Sequence, residues 1–94
     1  MAKSIISNLR RCYVCGNTIG IHKHHIYGGA NRQISEREGC WVYLCGPHHN
    51  LSSAGIHFDP KFNLEMKEMC QNIWMEKNGK TPEDFRALFG KSYV

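Results

Sequence analysis

Two pairs of residues in this chain have the spacing of metal knuckles. Cys12-x2-Cys15 and Cys45-x2-His48 each place two residues between side chains that can converge on one ion. That interval turns both donors inward without straining the chain, and four such sulfur and nitrogen donors satisfy the tetrahedral preference of Zn²⁺. Gly16 and Gly46 stand where such knuckles bend sharply. His49 could replace His48 as the fourth donor, but His48 repeats the two-residue interval of the first pair and is preferred. Residues 16–44 separate the two pairs, so another structure is inserted between the halves of the site. Cys40 and Cys70 belong to neither pair and read as packed core thiols.

The insert carries a second chemistry in His22-Lys23-His24-His25-Ile26. On a strand, alternate side chains take opposite faces, so His22 and His24 share one face and His25 takes the other. Distortion at the strand end would let His24 and His25 approach a common site. His22 reads as structural or exposed. The doublet His48-His49 and then His57 follow further on. Histidine titrates near neutral pH, and its neutral ring can accept a proton or bind a metal.

The elements that must position these residues follow from pattern. Ile19–Ile26 is short and strand-like, and the aromatic and β-branched run Trp41-Val42-Tyr43-Leu44 is a plausible partner. Gly28–Gly39, polar with three glycines, reads as a loop. Pro47 suits the first turn of a short helix over His48–Ser53, ended by Gly55. Phe62, Met66, Met69, Cys70, Ile73 and Trp74 recur at helical steps and predict a helix over roughly Asn63–Lys77, stopped at Asn78-Gly79. Thr81-Pro82-Glu83-Asp84 is a helix start, with Thr81 as N-cap and acids in the first turn. Phe85, Leu88 and Phe89 supply its apolar face.

Composition sets the frame. With 94 residues, a single domain spanning 1–94 is expected, too small for its apolar core to give more than marginal stability. Residues 11–58 hold the candidate sites and 59–94 read as helical support. Five cysteines cannot all pair within one chain, and no apolar run approaches a membrane span. The chain therefore reads as cytosolic, where clustered Cys and His point to metal rather than disulfides. A net charge of +4 is compatible with a polyanionic partner.

The order of motifs resembles a known family. Cys12-x2-Cys15, then His24-His25-Ile26 with Gly28-Gly29, then Leu44-Cys45-x2-His48-His49, looks like an HNH endonuclease of the ββα-metal type. The runs at 24–32, 44–50 and 55–58 (Gly55-Ile56-His57-Phe58) look more narrowly like small phage and prophage HNH proteins. The resemblance covers about residues 11–60. It implies an α+β fold with a ββα-metal (His-Me finger) core, stapled by the zinc knuckles and followed by C-terminal helices. By position it implies His24 as a ligand to a catalytic divalent metal, His25 as general base and His49 as the ligand from the helix. His57 is either a further ligand or a loop cap. The metal could be Mg²⁺, Mn²⁺, Ni²⁺, Co²⁺ or Zn²⁺.

The chain departs from the family at the middle letter. Cys40-Trp41 stand where an asparagine is expected, and Asn31 or Asn50 could assume its orienting role. Arg32 is a candidate phosphate clamp, or else a solvated loop arginine. The expected activity is metal-dependent hydrolysis of DNA, double-stranded by expectation, in a bacterial cytoplasm hosting a phage or prophage. A homodimer or a phage protein could assist it. The competing expectation is a non-catalytic zinc module binding DNA or protein. A zinc deaminase would need an H-x-E arrangement, which does not occur. No basic recognition helix is visible either, because Lys67 and Lys77 are balanced by Glu65, Glu68 and Glu76.

Overall fold

The computed structural model describes residues 2–50 and 55–94. It is a small α+β fold in which a two-stranded antiparallel sheet carries helices. Strand β1 spans Ile21–His25 and β2 spans Trp41–Cys45, in a register that pairs Ile21 with Cys45 and His25 with Trp41. His24 thus faces Val42 across the ladder and His22 faces Leu44. Val42 and Leu44 are fully buried, so this face of the sheet lies on the core. Lys23 and His25 lie on the other face, where the Lys23 ammonium sits 4.2 Å from the Trp41 ring centre.

The segment between the strands departs from the expected loop. A 3-10 turn over Gly29–Asn31 runs into helix α1, Arg32–Arg37. Its apolar content is only Ile34, half-buried against the core, while Ser35 is fully buried beside it. Packing rather than amphipathic periodicity therefore makes this helix, which explains why its pattern escapes a sequence reading. Gly39 closes the segment at φ 75°, and its carbonyl accepts the Ile5 N–H at 2.9 Å. A Cβ there would run into the Lys3 carbonyl oxygen, so only glycine fits.

Helix α2 is a single turn, Gly46–His49, with Pro47 inside its first turn. It begins two residues earlier than expected and Asn50 caps it; the remainder of the expected His48–Ser53 helix, beyond Asn50, lies outside the described residues. Helix α3 runs Pro60–Asn78, longer than its apolar stripe predicts because Asp59 caps it from outside, its carboxylate accepting the Phe62 N–H at 3.1 Å. Met66, Cys70 and Trp74 are its buried stripe, and Gly79 ends it in the left-handed conformation. Among the described residues, no helix is long and apolar enough to cross a membrane.

Helix α4, Pro82–Phe89, starts as its sequence predicts. Thr81 Oγ1 accepts the Asp84 N–H while the Asp84 carboxylate accepts the Thr81 N–H, a reciprocal capping box. Those hydrogen bonds hold the Asp84 carboxyl below its ordinary range. A depressed carboxyl stabilises above the ordinary carboxyl pKa, and that contribution is lost as pH falls through the depressed value. Thr81→Ala should lower unfolding free energy by about 1 kcal/mol in denaturant melts at neutral pH. The difference between wild type and variant should shrink on acidification.

Candidate metal centres

The first candidate site is built where the knuckle at 12–15 docks on the end of the sheet. The Tyr13 N–H donates to the Tyr43 carbonyl at 2.8 Å, and the Cys12 carbonyl accepts from Gly16 at 2.8 Å. Gly16 takes φ 76° to complete that bend, whereas Gly46 simply opens α2 without a positive φ. The β-register delivers Cys45, and the turn of α2 returns His48 to it. Cys12, Cys15, Cys45 and His48 form one cluster that could hold a metal such as zinc.

Three of its edges are close to those of a tetrahedron. Cys15 Sγ lies 3.7 Å from Cys45 Sγ, and His48 Nδ1 lies 3.7 Å from Cys12 Sγ and 3.1 Å from Cys45 Sγ. A Zn²⁺ ion with Zn–S bonds of ~2.3 Å sets sulfur–sulfur edges of about 3.8 Å and slightly shorter sulfur–nitrogen edges. Burial alone pushes the Cys12 thiol up, but backbone N–H groups of Cys45, Cys15 and Val14 outweigh it and bring Cys12 to about 6. Cys45 is raised, first by burial and further by its cysteine neighbours. Thiolates crowded this closely repel one another, and a divalent cation removes that repulsion. Cys40 and Cys70 stand apart, both fully buried. A hydrogen bond donated to Cys70, and then burial, raise the Cys40 thiol, as fits a packed, unreactive group.

The second candidate site lies on the core face of β1. His24, His49 and His57 offer nitrogens close enough to share one ion. His49 comes from the last turn of α2. His57 is brought back to it by two backbone bonds, Ile56 N–H to the His48 carbonyl at 2.9 Å and His57 N–H to the His49 carbonyl at 3.2 Å. The Nε2 atoms of His49 and His57 lie 2.9 Å apart, near the ~3.0 Å expected of ligands at right angles around an ion with ~2.1 Å bonds. His24 is 7 % exposed, and its Nε2 is the one buried side-chain N or O atom without a hydrogen-bond partner among the described residues. Such an orphan costs roughly 1–3 kcal/mol unless something binds it. Burial, then the charges of His49, His57, His25 and Lys67, lower His24 to about 3, so its ring is neutral with a lone pair to offer. Burial and the neighbouring His57 and His22 also lower His49.

His22, read as structural or exposed, is exposed yet engaged. Its Nδ1 lies 3.1 Å from His49 Nδ1. If His49 Nδ1 carries the proton of that bond, His49 Nε2 is the free ligand atom on the side of His57.

His25, the last residue of β1, points to the opposite face, yet both His24 and His25 line the same cleft of about 270 Å³ with Arg32, His49 and His57. His25 Nε2 lies 3.1 Å from Glu36 Oε1, and the same carboxylate accepts from Lys23 Nζ at 3.1 Å. The His25 bond, then Lys23, hold the Glu36 carboxyl below its usual range. Glu36 is the site residue that sequence reasoning missed. It sits on α1, in the stretch read as loop. Arg32 is exposed at the start of that helix, on the cleft wall. Asn31 does not orient His25: its side chain donates to the Phe89 carbonyl at 2.8 Å and ties the turn to α4. The backbone N–H of Asn50 closes α2 on the Gly46 carbonyl.

No family model, no curated protein and no solved structure matches this chain.

Proposed function

We propose that this chain is a metal-dependent endonuclease hydrolysing phosphodiester bonds in DNA, with zinc on Cys12, Cys15, Cys45 and His48 as a structural staple. The observation that carries the reading is the buried, unpartnered Nε2 of His24 beside His49 and His57, in the cleft that His25 also lines. The order of the HNH-like motifs supports it.

His24, His49 and His57 would hold the divalent ion, which when bound supplies positive charge to the developing phosphorane and the leaving 3′ oxygen. In the tautomer that donates Nε2–H to Glu36, His25 keeps Nδ1 as the basic nitrogen. A water attacking phosphorus gives its proton to that Nδ1 as the bond to the 3′ oxygen breaks. Glu36 fixes the tautomer and steadies the imidazolium that forms, as carboxylates do behind catalytic histidines. Arg32 grips a non-bridging phosphate oxygen from the cleft wall. Glu36→Ala should lower cleavage roughly 10- to 100-fold while leaving bound zinc unchanged. Equal rates in both proteins would remove Glu36 from the mechanism.

A non-catalytic zinc module accounts for the four knuckle residues but leaves the trio of His24, His49 and His57 without a purpose. The test is supercoiled plasmid incubated with the zinc-loaded protein and Mg²⁺, Mn²⁺ or Ni²⁺, beside His25→Ala. Metal-dependent nicking that His25→Ala loses supports the enzyme. No nicking, or equal nicking by the variant, favours the zinc module.

A further inference from the structure

Beyond the cleft that joins the histidines to Arg32 lies a second one of about 280 Å³, and the two share His24, His25, Gly28 and His57. The far wall of the second cleft belongs to the helical part of the chain, through Asn63, Lys67 and Tyr93. Lys67 stands on α3, and its ammonium lies 5.4 Å from the Tyr93 ring centre. Lys91 approaches the same ring at 5.3 Å. The ion pairs formed among the described residues involve Lys23, His25 and Arg37, so neither of these lysines has a carboxylate within 4.0 Å. On α3, the positions three and four residues from Lys67 are Asn63, Leu64, Cys70 and Gln71, none of them acidic.

The placement of Lys67 and of the Tyr93 ring is built. Gln71 is fully buried on α3, an expensive location for an amide unless its bonds are made. Its Oε1 accepts the Tyr93 N–H at 2.7 Å and its Nε2 reaches Ser92 Oγ at 2.9 Å, which pins the C-terminal tail against the helix. Tyr27 donates its hydroxyl to the Lys67 carbonyl at 2.6 Å, joining the helix to the segment just after β1. Lys67 therefore stands on an anchored helix at the edge of the histidine cleft, with Lys91 against the same Tyr93 ring.

We propose that Lys67 and Lys91 form a phosphate-binding subsite for the DNA strand, holding a backbone phosphate next to the one that is cut. This rests on the endonuclease reading for its direction, since the shared cleft residues set where the strand continues. The subsite makes the helical part a second grip on the backbone as well as support for the core. Its contact is to phosphate, so it adds affinity and register without reading sequence.

Binding of a fluorescein-labelled duplex to the full zinc-loaded chain tests it, in a His25→Ala background that keeps the probe intact. In that background Lys67→Gln and Lys91→Gln should each weaken binding roughly three- to tenfold at low salt, and each should flatten the slope of log affinity against log salt by about 0.9. Lys67→Arg should retain binding. Lys77→Gln removes the same charge ten residues along α3, about 15 Å away, and should change affinity less than twofold. Affinities within twofold of the background for both glutamine variants, or an equal loss in Lys77→Gln, would overturn the subsite. The endonuclease reading fails separately. If the chain with His25 intact nicks no plasmid while binding still depends on Lys67 and Lys91, the subsite stands and the catalytic assignment falls.

Discussion

Exchanging Cys12 for serine should release the zinc and unfold the chain rather than merely weaken it. Cys12 is 2 % exposed and sits among three other donors, all within 4.8 Å of one another. Structural zinc contributes on the order of 10–16 kcal/mol of apparent binding free energy in small zinc-dependent folds. A domain typically has only about 5–15 kcal/mol of net stability, and one of 94 residues draws little of it from burial alone. The loss of one thiolate ligand therefore exceeds the margin. Elemental analysis should find about one tightly held zinc per wild-type chain, and far-UV circular dichroism of Cys12→Ser should show no cooperative melt. A strong chelator should reproduce the unfolding in the wild type. By contrast, Cys70→Ser changes a thiol outside the metal cluster and should retain zinc. A Cys12→Ser protein that melts within a few degrees of wild type would dismiss the staple.

The second large effect belongs to His25. Its replacement by alanine should reduce DNA cleavage about 10²–10⁴-fold, the usual contribution of a positioned general base. The fold and both metals should remain, because His25 sits at the end of β1 outside both clusters of candidate ligands. His24→Ala should fail differently. It removes the buried nitrogen at the centre of the second site, so raising the metal concentration should recover part of its activity but none of that lost by His25→Ala. Rates measured across a metal titration separate the two variants. Rescue of His25→Ala by added metal would make it a ligand rather than a base.

Much of this arrangement was legible because it depends on short intervals. The two knuckles, the strand pair, the Thr81 cap and the Met66, Cys70, Trp74 stripe are all local patterns, and the described structure forms each of them. Helix α1 was not legible. Arg32–Arg37 holds one large apolar residue, and Asn31 makes no side-chain cap bond, its amide being drawn instead to Phe89. Without that helix no rule of spacing connects Glu36 to His25, eleven residues earlier. The contact exists only because the register and α1 bring them to the same face. The link from His22 to His49 is hidden for a related reason, since it needs the fold of α2 back over β1. The anchoring by Gln71 is hidden likewise, since its partners Ser92 and Tyr93 lie beyond a whole intervening helix. Local order is written in neighbours, whereas the second partners of candidate catalytic and anchoring groups come from tertiary packing.

On the proposed function, one small chain holds two separate metals, one for folding and one for chemistry. Titrating Mn²⁺ into protein already loaded with about one zinc per chain, and following the free-ion signal by electron paramagnetic resonance, tests it most directly. The wild type should bind about one Mn²⁺ per chain with its zinc retained, and His24→Ala should keep the zinc but bind Mn²⁺ far more weakly. No bound Mn²⁺ in the wild type, or equal binding in His24→Ala, would contradict a second metal centre on the histidine face.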